Sequence, residues 1–116
     1  MSEAVDLKDA LERVQDDKEL LAELFEIFLE DYPPKREILG QATESGDGEK
    51  IREIAHGLKG ATGNISAVFM HQNCKAIEID AKEDNLAGVS EKLIELDQQF
   101  DAFKAYALKF IEENGE

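Results

Sequence analysis

From Leu86 to Phe110 an apolar residue recurs every three or four positions: Leu86, Val89, Leu93, Leu96, Phe100, Phe103, Ala107 and Phe110. That alternation keeps one stripe on one side of an α-helix, and a stripe this long marks a seam between packed helices. About 27 residues of helix would span roughly 40 Å, a seam along which other helices must pack. The requirement narrows the chain to a helical bundle. Asn85, just before the stripe, has the chemistry of an N-cap.

The rest of the chain supplies the partners. Asp6 is placed to cap a short helix with Leu7, Ala10, Leu11 and Val14 on one face. A second helix is predicted from about Asp17 to Asp31, with Leu21, Leu24, Phe25, Phe28 and Leu29 as its main stripe. Leu20 and Ile27 widen that stripe, which predicts more than one neighbour. Pro33-Pro34 is expected to break the helix, because neither ring offers an N–H. Pro34 can stand in the first turn of the next helix, which carries Ile38, Leu39 and Ala42 and ends at Ser45-Gly46-Asp47-Gly48. Asp47 can cap the following helix, and Ser66 one reaching about Ala81 with Phe69, Met70, Cys74 and Ile77 as core candidates. Short loops between long helices make neighbours antiparallel. The expected fold is all-α, an antiparallel up-down four-helix bundle with one or two short additional N-terminal helices. Residues 1–116 are expected to form one domain, since no repeat, linker or low-complexity segment interrupts them.

Charge and composition then exclude several functions. With 27 acidic and 13 basic residues the net charge is −14, which argues against nucleic acid and anionic membranes as partners. No apolar run reaches the length of a bilayer span, and no signal peptide is expected at the start. A lone cysteine rules out an internal disulfide and suits a reducing cytoplasm, where a monomer is expected. No glycine-rich phosphate loop or nucleotide signature is present, so the chain is not expected to be an enzyme with its own ATP site or to hold a cofactor.

The segment from Ile51 to Ala67 carries the chemistry. Wound as a helix, it places Ile51, Ile54, Ala55, Leu58, Ala61, Thr62 and Ile65 on one apolar face. His56 falls on the other side, near Arg52, Lys59, Gly60 and Gly63. Gly57, Gly60 and Gly63 should each cost roughly 1 kcal/mol against Ala in a helix interior. Gly60 and Gly63, one and two turns after His56, strip side chains from its face, as an approaching molecule would require. A second reading gives Gly63 to the helix end and Gly60 to close packing of a neighbouring helix. No acidic residue lies between Ile54 and Ile77, where the chain's average would place about five or six. Lys59 and Lys75 are the only charged side chains in that run. Cations around a bare imidazole suit a site that holds a dianionic group. Across a hairpin centred near Ile65, the positions opposite His56 fall at roughly 71–78, with Lys75 and Glu78 as candidates.

His56-Gly57-Leu58-Lys59-Gly60, then Asn64-Ile65-Ser66-Ala67, and Cys74 with Glu78 beyond, resemble the histidine-containing phosphotransfer (HPt) domain of two-component phosphorelays. That family's pattern is roughly His-x-Leu-Lys-Gly, then Asn-Leu-Gly-Ala, then Cys-x-x-Leu-Glu. Gly57 stands where a larger residue is usual, and Ser66 where the interhelical turn usually has glycine. The resemblance implies a relay intermediate that takes a phosphoryl group on His56 from a receiver aspartate and passes it to another. It implies that Lys59 contacts the phosphoryl oxygens, that Gly60 clears room for the receiver, and that Glu78 fixes the ring's tautomer. Arg52 and Lys75 could add to the positive field. The implied partners are response-regulator receiver domains or a hybrid sensor histidine kinase, with Mg²⁺ on the receiver rather than on this chain. An imidazole suits the task, because its ordinary pKa near 6.5 leaves it largely neutral and nucleophilic at pH 7.

Rival readings remain. The chain could be a non-catalytic helical interaction module, or the phosphoacceptor domain of a chemotaxis-type histidine kinase. Glu53-x-x-His56 spells a di-iron ligand pattern, but it occurs once and faces solvent. His71 is expected at the surface or its boundary, and Cys74 as a small buried apolar residue.

Overall fold

Four of the five helices begin where a short polar side chain takes over an unpaired backbone N–H. The computed structural model describes residues 3–115; Met1, Ser2 and Glu116, within the expected 1–116 domain, lie outside the described residues. The helices are α1 Leu7–Arg13, α2 Lys18–Ser45, α3 Gly48–Asn64, α4 Val68–Lys82 and α5 Leu86–Asn114. Asp6, Asp17, Asp47 and Asn85 accept from the N–H groups of Asp9, Leu20, Lys50 and Gly88, each satisfying a donor the first turn leaves free. Gly46 ends α2 with a left-handed φ of 74°, so its own N–H and that of Asp47 reach the carbonyls of Thr43 and Ala42.

α4 is the exception, and Ser66 does not cap it. The residue before α4 is Ala67, which makes no side-chain cap bond. Ser66 sits at φ 55° to turn the chain, which swings its hydroxyl toward α1. There it donates to Asp9 Oδ2 at 2.6 Å, while the Asp6 N–H donates to the Ser66 carbonyl at 3.0 Å. These bonds pin α1 across the α3–α4 turn.

Nor do the prolines break the second helix. α2 runs through Pro33 and Pro34 without interruption. Both rings are exposed, so the carbonyls of Leu29 and Glu30 that lose their donors are on the side open to water. Packing on the opposite side holds the helix together. Tyr32 stacks on Phe100 with centroids 4.4 Å apart, and Arg36 forms a two-pronged pair with Asp97 at 2.7 and 3.0 Å. Local breaking propensity is overridden by tertiary contact on both flanks.

α2 to α5 form an antiparallel ring. Phe25 meets Phe110, Tyr32 meets Phe100 and Arg36 meets Asp97, so α2 and α5 run in opposite directions. Asn73 bonds Gln99 while Asp80 pairs with Lys92, which orients α4 against α5 the same way. The fold is the all-α four-helix bundle expected, with one short N-terminal helix, and measures 42 × 22 × 22 Å. Its core is the α5 seam packed on Phe25, Leu39, Ile51, Leu58, Met70 and Ile77. Phe69, Ile38, Leu20 and Ile27 are not core residues; they are 37–51% exposed. Each lies beside a buried stripe, and a helix in a four-membered ring turns those flanking positions to the rim.

Candidate functional site

The apolar face of α3 turns inward as its periodicity requires, with Ile51, Ala55, Leu58 and Thr62 buried and Ile54 and Ala61 partly so. Thr62 can be buried because its hydroxyl donates back to the Leu58 carbonyl at 2.8 Å. His56 therefore points outward, its side chain 65% exposed. α4 passes on one side of it and brings Glu78 to the ring. Glu78 Oε2 lies 2.9 Å from His56 Nδ1 and Glu78 Oε1 lies 2.9 Å from Lys59 Nζ. One carboxylate thus bridges the imidazole and the ammonium. The Lys59 hydrogen bond holds the Glu78 carboxyl below the usual carboxylate range, against an upward push from burial and with a smaller pull from the His56 hydrogen bond. An ionised carboxylate can only accept, so Nδ1 carries a hydrogen, and in the neutral ring the lone pair is then on Nε2. Among the described residues Nε2 has no hydrogen-bond partner.

The other side of His56 is bare. A Cβ on Gly57 or Gly60 would meet nothing within 4 Å. At about 100° per residue, Gly60, Asn64, Gly57 and Ala61 form a shelf that leads round α3 from His56 to Ile65 and Leu58. Beyond it, between α2 and α3, lies a groove of about 470 Å³ lined by Leu24, Ile27, Phe28, Leu58, Ala61 and Ile65. Ile27 is 51% exposed and lines this groove, while α2 itself packs against more than one neighbour, as its widened stripe predicts. Gly63 has a different environment. A Cβ there would lie 3.2 Å from the His71 ring, so this glycine makes room for α4 rather than for solvent.

The remaining candidates lie further out. Arg52 pairs with Glu49 one turn back on α3, not with the His56 ring. Lys75 is exposed on α4, one turn before Glu78, and forms no ion pair among the described residues. Cys74 is fully buried, which pushes its thiol up to about 12 and leaves it an apolar filler. Among the described residues, no group of three or more His, Cys, Asp or Glu is placed to hold a metal ion. Among the described residues, no helix is long and apolar enough to cross a membrane. Sequence reasoning missed the His71 contact with α3, and the groove. His71 Nδ1 lies 2.8 Å from the Lys59 carbonyl, a pairing no spacing rule on either helix announces.

A family model described as Hpt domain matches residues 23–106, which takes in α3, α4 and most of α2 and α5. The chain belongs to the Hpt domain family. Hpt domains carry out histidine phosphotransfer in two-component systems, as carriers that work with receiver domains and kinases. Neither the curated proteins nor the solved structures compared with this chain returned a match. Within the Hpt domain, the matched segment contains the whole cluster of His56, Lys59, Gly60 and Glu78.

Proposed function

We propose that this Hpt domain is a phosphorelay intermediate whose phosphoacceptor is His56. The observation that carries the reading is the unequal treatment of the two ring nitrogens. Glu78 engages Nδ1, while Nε2 stands free beside two glycines and a lysine. In the forward step the Nε2 lone pair attacks the phosphorus of a receiver aspartyl phosphate. The bond to the aspartyl oxygen breaks, its electron pair leaves with the carboxylate, and the ring becomes a phospho-imidazolium whose Nδ1–H stays on Glu78. Reversal toward a different aspartate passes the group on. Such transfer depends on positioning and charge neutralisation, and Lys59 is close enough to turn from Glu78 to the phosphoryl oxygens. The divalent cation belongs to the receiver's site.

The shelf and groove suit the docking of that receiver. The groove is lined mainly by apolar side chains, with Arg13, Asp31 and Lys35 also in its walls, on a chain otherwise dominated by acids, and an apolar patch near a reactive group fits a protein partner. Incubation with a phosphorylated receiver should label the protein with an acid-labile, base-stable phosphate, and His56→Gln should take up none. Equal labelling of the variant would end the assignment. A His56→Ala protein that still performs its role would favour the non-catalytic interaction module.

A further inference from the structure

Three polar ties join the bodies of α3 and α4 among the described residues: His56 to Glu78, Lys59 to Glu78, and His71 to the Lys59 carbonyl. The first two consist of the reacting cluster itself. Only the third is independent of it. The His71 Nδ1–H donates to a main-chain oxygen at 2.8 Å and leaves the Lys59 side chain free. We propose that His71 is a positioning residue for phosphotransfer, holding α3 in register with α4 through the backbone of Lys59. The proposal rests on the reading that His56 is the phosphoacceptor.

Geometry shows why a register clamp matters. His71 and Glu78 are seven residues apart, so they project from one face of α4 two turns from each other. Opposite them on α3 stand Lys59 and His56, one turn apart. A slip of one residue between the helices would move the imidazole by about 1.5 Å and turn it by about 100°. A hydrogen bond of 2.9 Å between Nδ1 and Glu78 tolerates only a few tenths of an ångström before it weakens. Packing against Gly63 limits the same motion. The ring lies where a Cβ on that residue would come within 3.2 Å, so a glycine there lets His71 sit flush on the helix. The helix-weakening residue at position 63 thus has a role, and it is the His71 contact.

The clamp matters most once phosphate arrives. A dianion on Nε2 draws the Lys59 ammonium away from Glu78 and repels the Glu78 carboxylate. The Lys59–Glu78 tie then weakens, and of the two ties made by Glu78 only the one to the Nδ1–H of the phospho-imidazolium is kept. The tie from His71 ends on a carbonyl whose charge does not change, so it persists through the cycle. Glu78 stays within reach of Nδ1 and the phosphorylated ring keeps its orientation.

The test compares His71→Leu, which keeps bulk without a donor, with His71→Asn, whose amide N–H can stand near the place of Nδ1. Imidazole ¹⁵N shifts report the fraction of neutral His56 protonated on Nδ1, and phosphoramidate followed by chase reports phosphohistidine lifetime. Loss of a hydrogen bond of this kind is worth about a three- to tenfold change in an equilibrium. His71→Leu should move the His56 tautomer toward the mixture of a free imidazole and shorten the lifetime about three- to tenfold. His71→Asn should restore most of both. If His71→Leu is fully folded by circular dichroism yet keeps the wild-type tautomer and lifetime, the proposal is overturned. Should His71→Leu fail to fold, His71→Gln, whose amide cannot stand in the place of Nδ1, takes its place under the same criteria. The tautomer measurement needs no partner protein. A response there, with no labelling of wild type by any receiver, would sink the relay reading and the phosphotransfer role of His71 with it, leaving only its hold on the His56 ring.

Discussion

The three glycines of α3 should respond in opposite ways to a single added methyl group. Gly57 and Gly60 have ordinary helical backbones and open space where a Cβ would go. Alanine at either should therefore gain the full helix-propensity difference of about 0.8–1 kcal/mol. At about 2.1 cal/mol/K of unfolding entropy per residue, a chain of 116 residues has roughly 0.24 kcal/mol/K. Each substitution should then raise Tm by about 4 °C, and the pair together by about 8 °C. Gly63→Ala gains the same propensity, but its methyl would press on the His71 ring at 3.2 Å. Crowding there should cancel the gain or reverse it. Thermal unfolding followed at 222 nm separates the cases. A Gly63→Ala protein stabilised as much as Gly57→Ala would refute the packing argument, as would a Gly57→Ala protein with no gain. The same variants test the clearance role, since Gly60→Ala should be more stable than wild type yet slower to accept phosphate from a receiver. Transfer at the wild-type rate would mean the space beside His56 is not used by the partner.

Two further outcomes follow from buried or bridged groups. The folded protein holds the Glu78 carboxyl below its ordinary range, so on acidification the unfolded chain takes up that proton first. The stabilisation is complete above the ordinary carboxylate pKa of about 4.3 and disappears as pH falls through the lower folded value. Urea midpoints measured from about pH 6 to pH 3 should therefore fall less steeply for Glu78→Gln than for wild type; parallel curves would contradict this. Tyr32 has a buried hydroxyl with no partner among the described residues, and burial drives its pKa upward. Tyr32→Phe should be neutral or stabilising by up to about 1 kcal/mol. A loss larger than that in denaturant unfolding would show that the hydroxyl is bonded.

What could be read from the chain alone was whatever depends on neighbours within a turn or two. The α5 stripe, the aspartate and asparagine caps, the glycine stop at Gly46 and the outward direction of His56 all follow from helical period and local hydrogen bonding. So did the bundle, because so long a stripe marks a seam between packed helices, although only α2 comes near α5 in length. The tertiary structure decided the matters in which a local rule met a distant contact. Pro33 and Pro34 stay inside α2 because Phe100 and Asp97, more than 60 residues away, hold its far side. Ser66 abandons α4 for Asp9 because the turn requires a positive φ. Gly60 and Gly63 look alike in sequence, yet one faces open space and the other a ring carried by α4. Helical period specifies the direction in which a residue points; which atoms stand in that direction depends on the angle and height at which two helices pack, which the whole core determines.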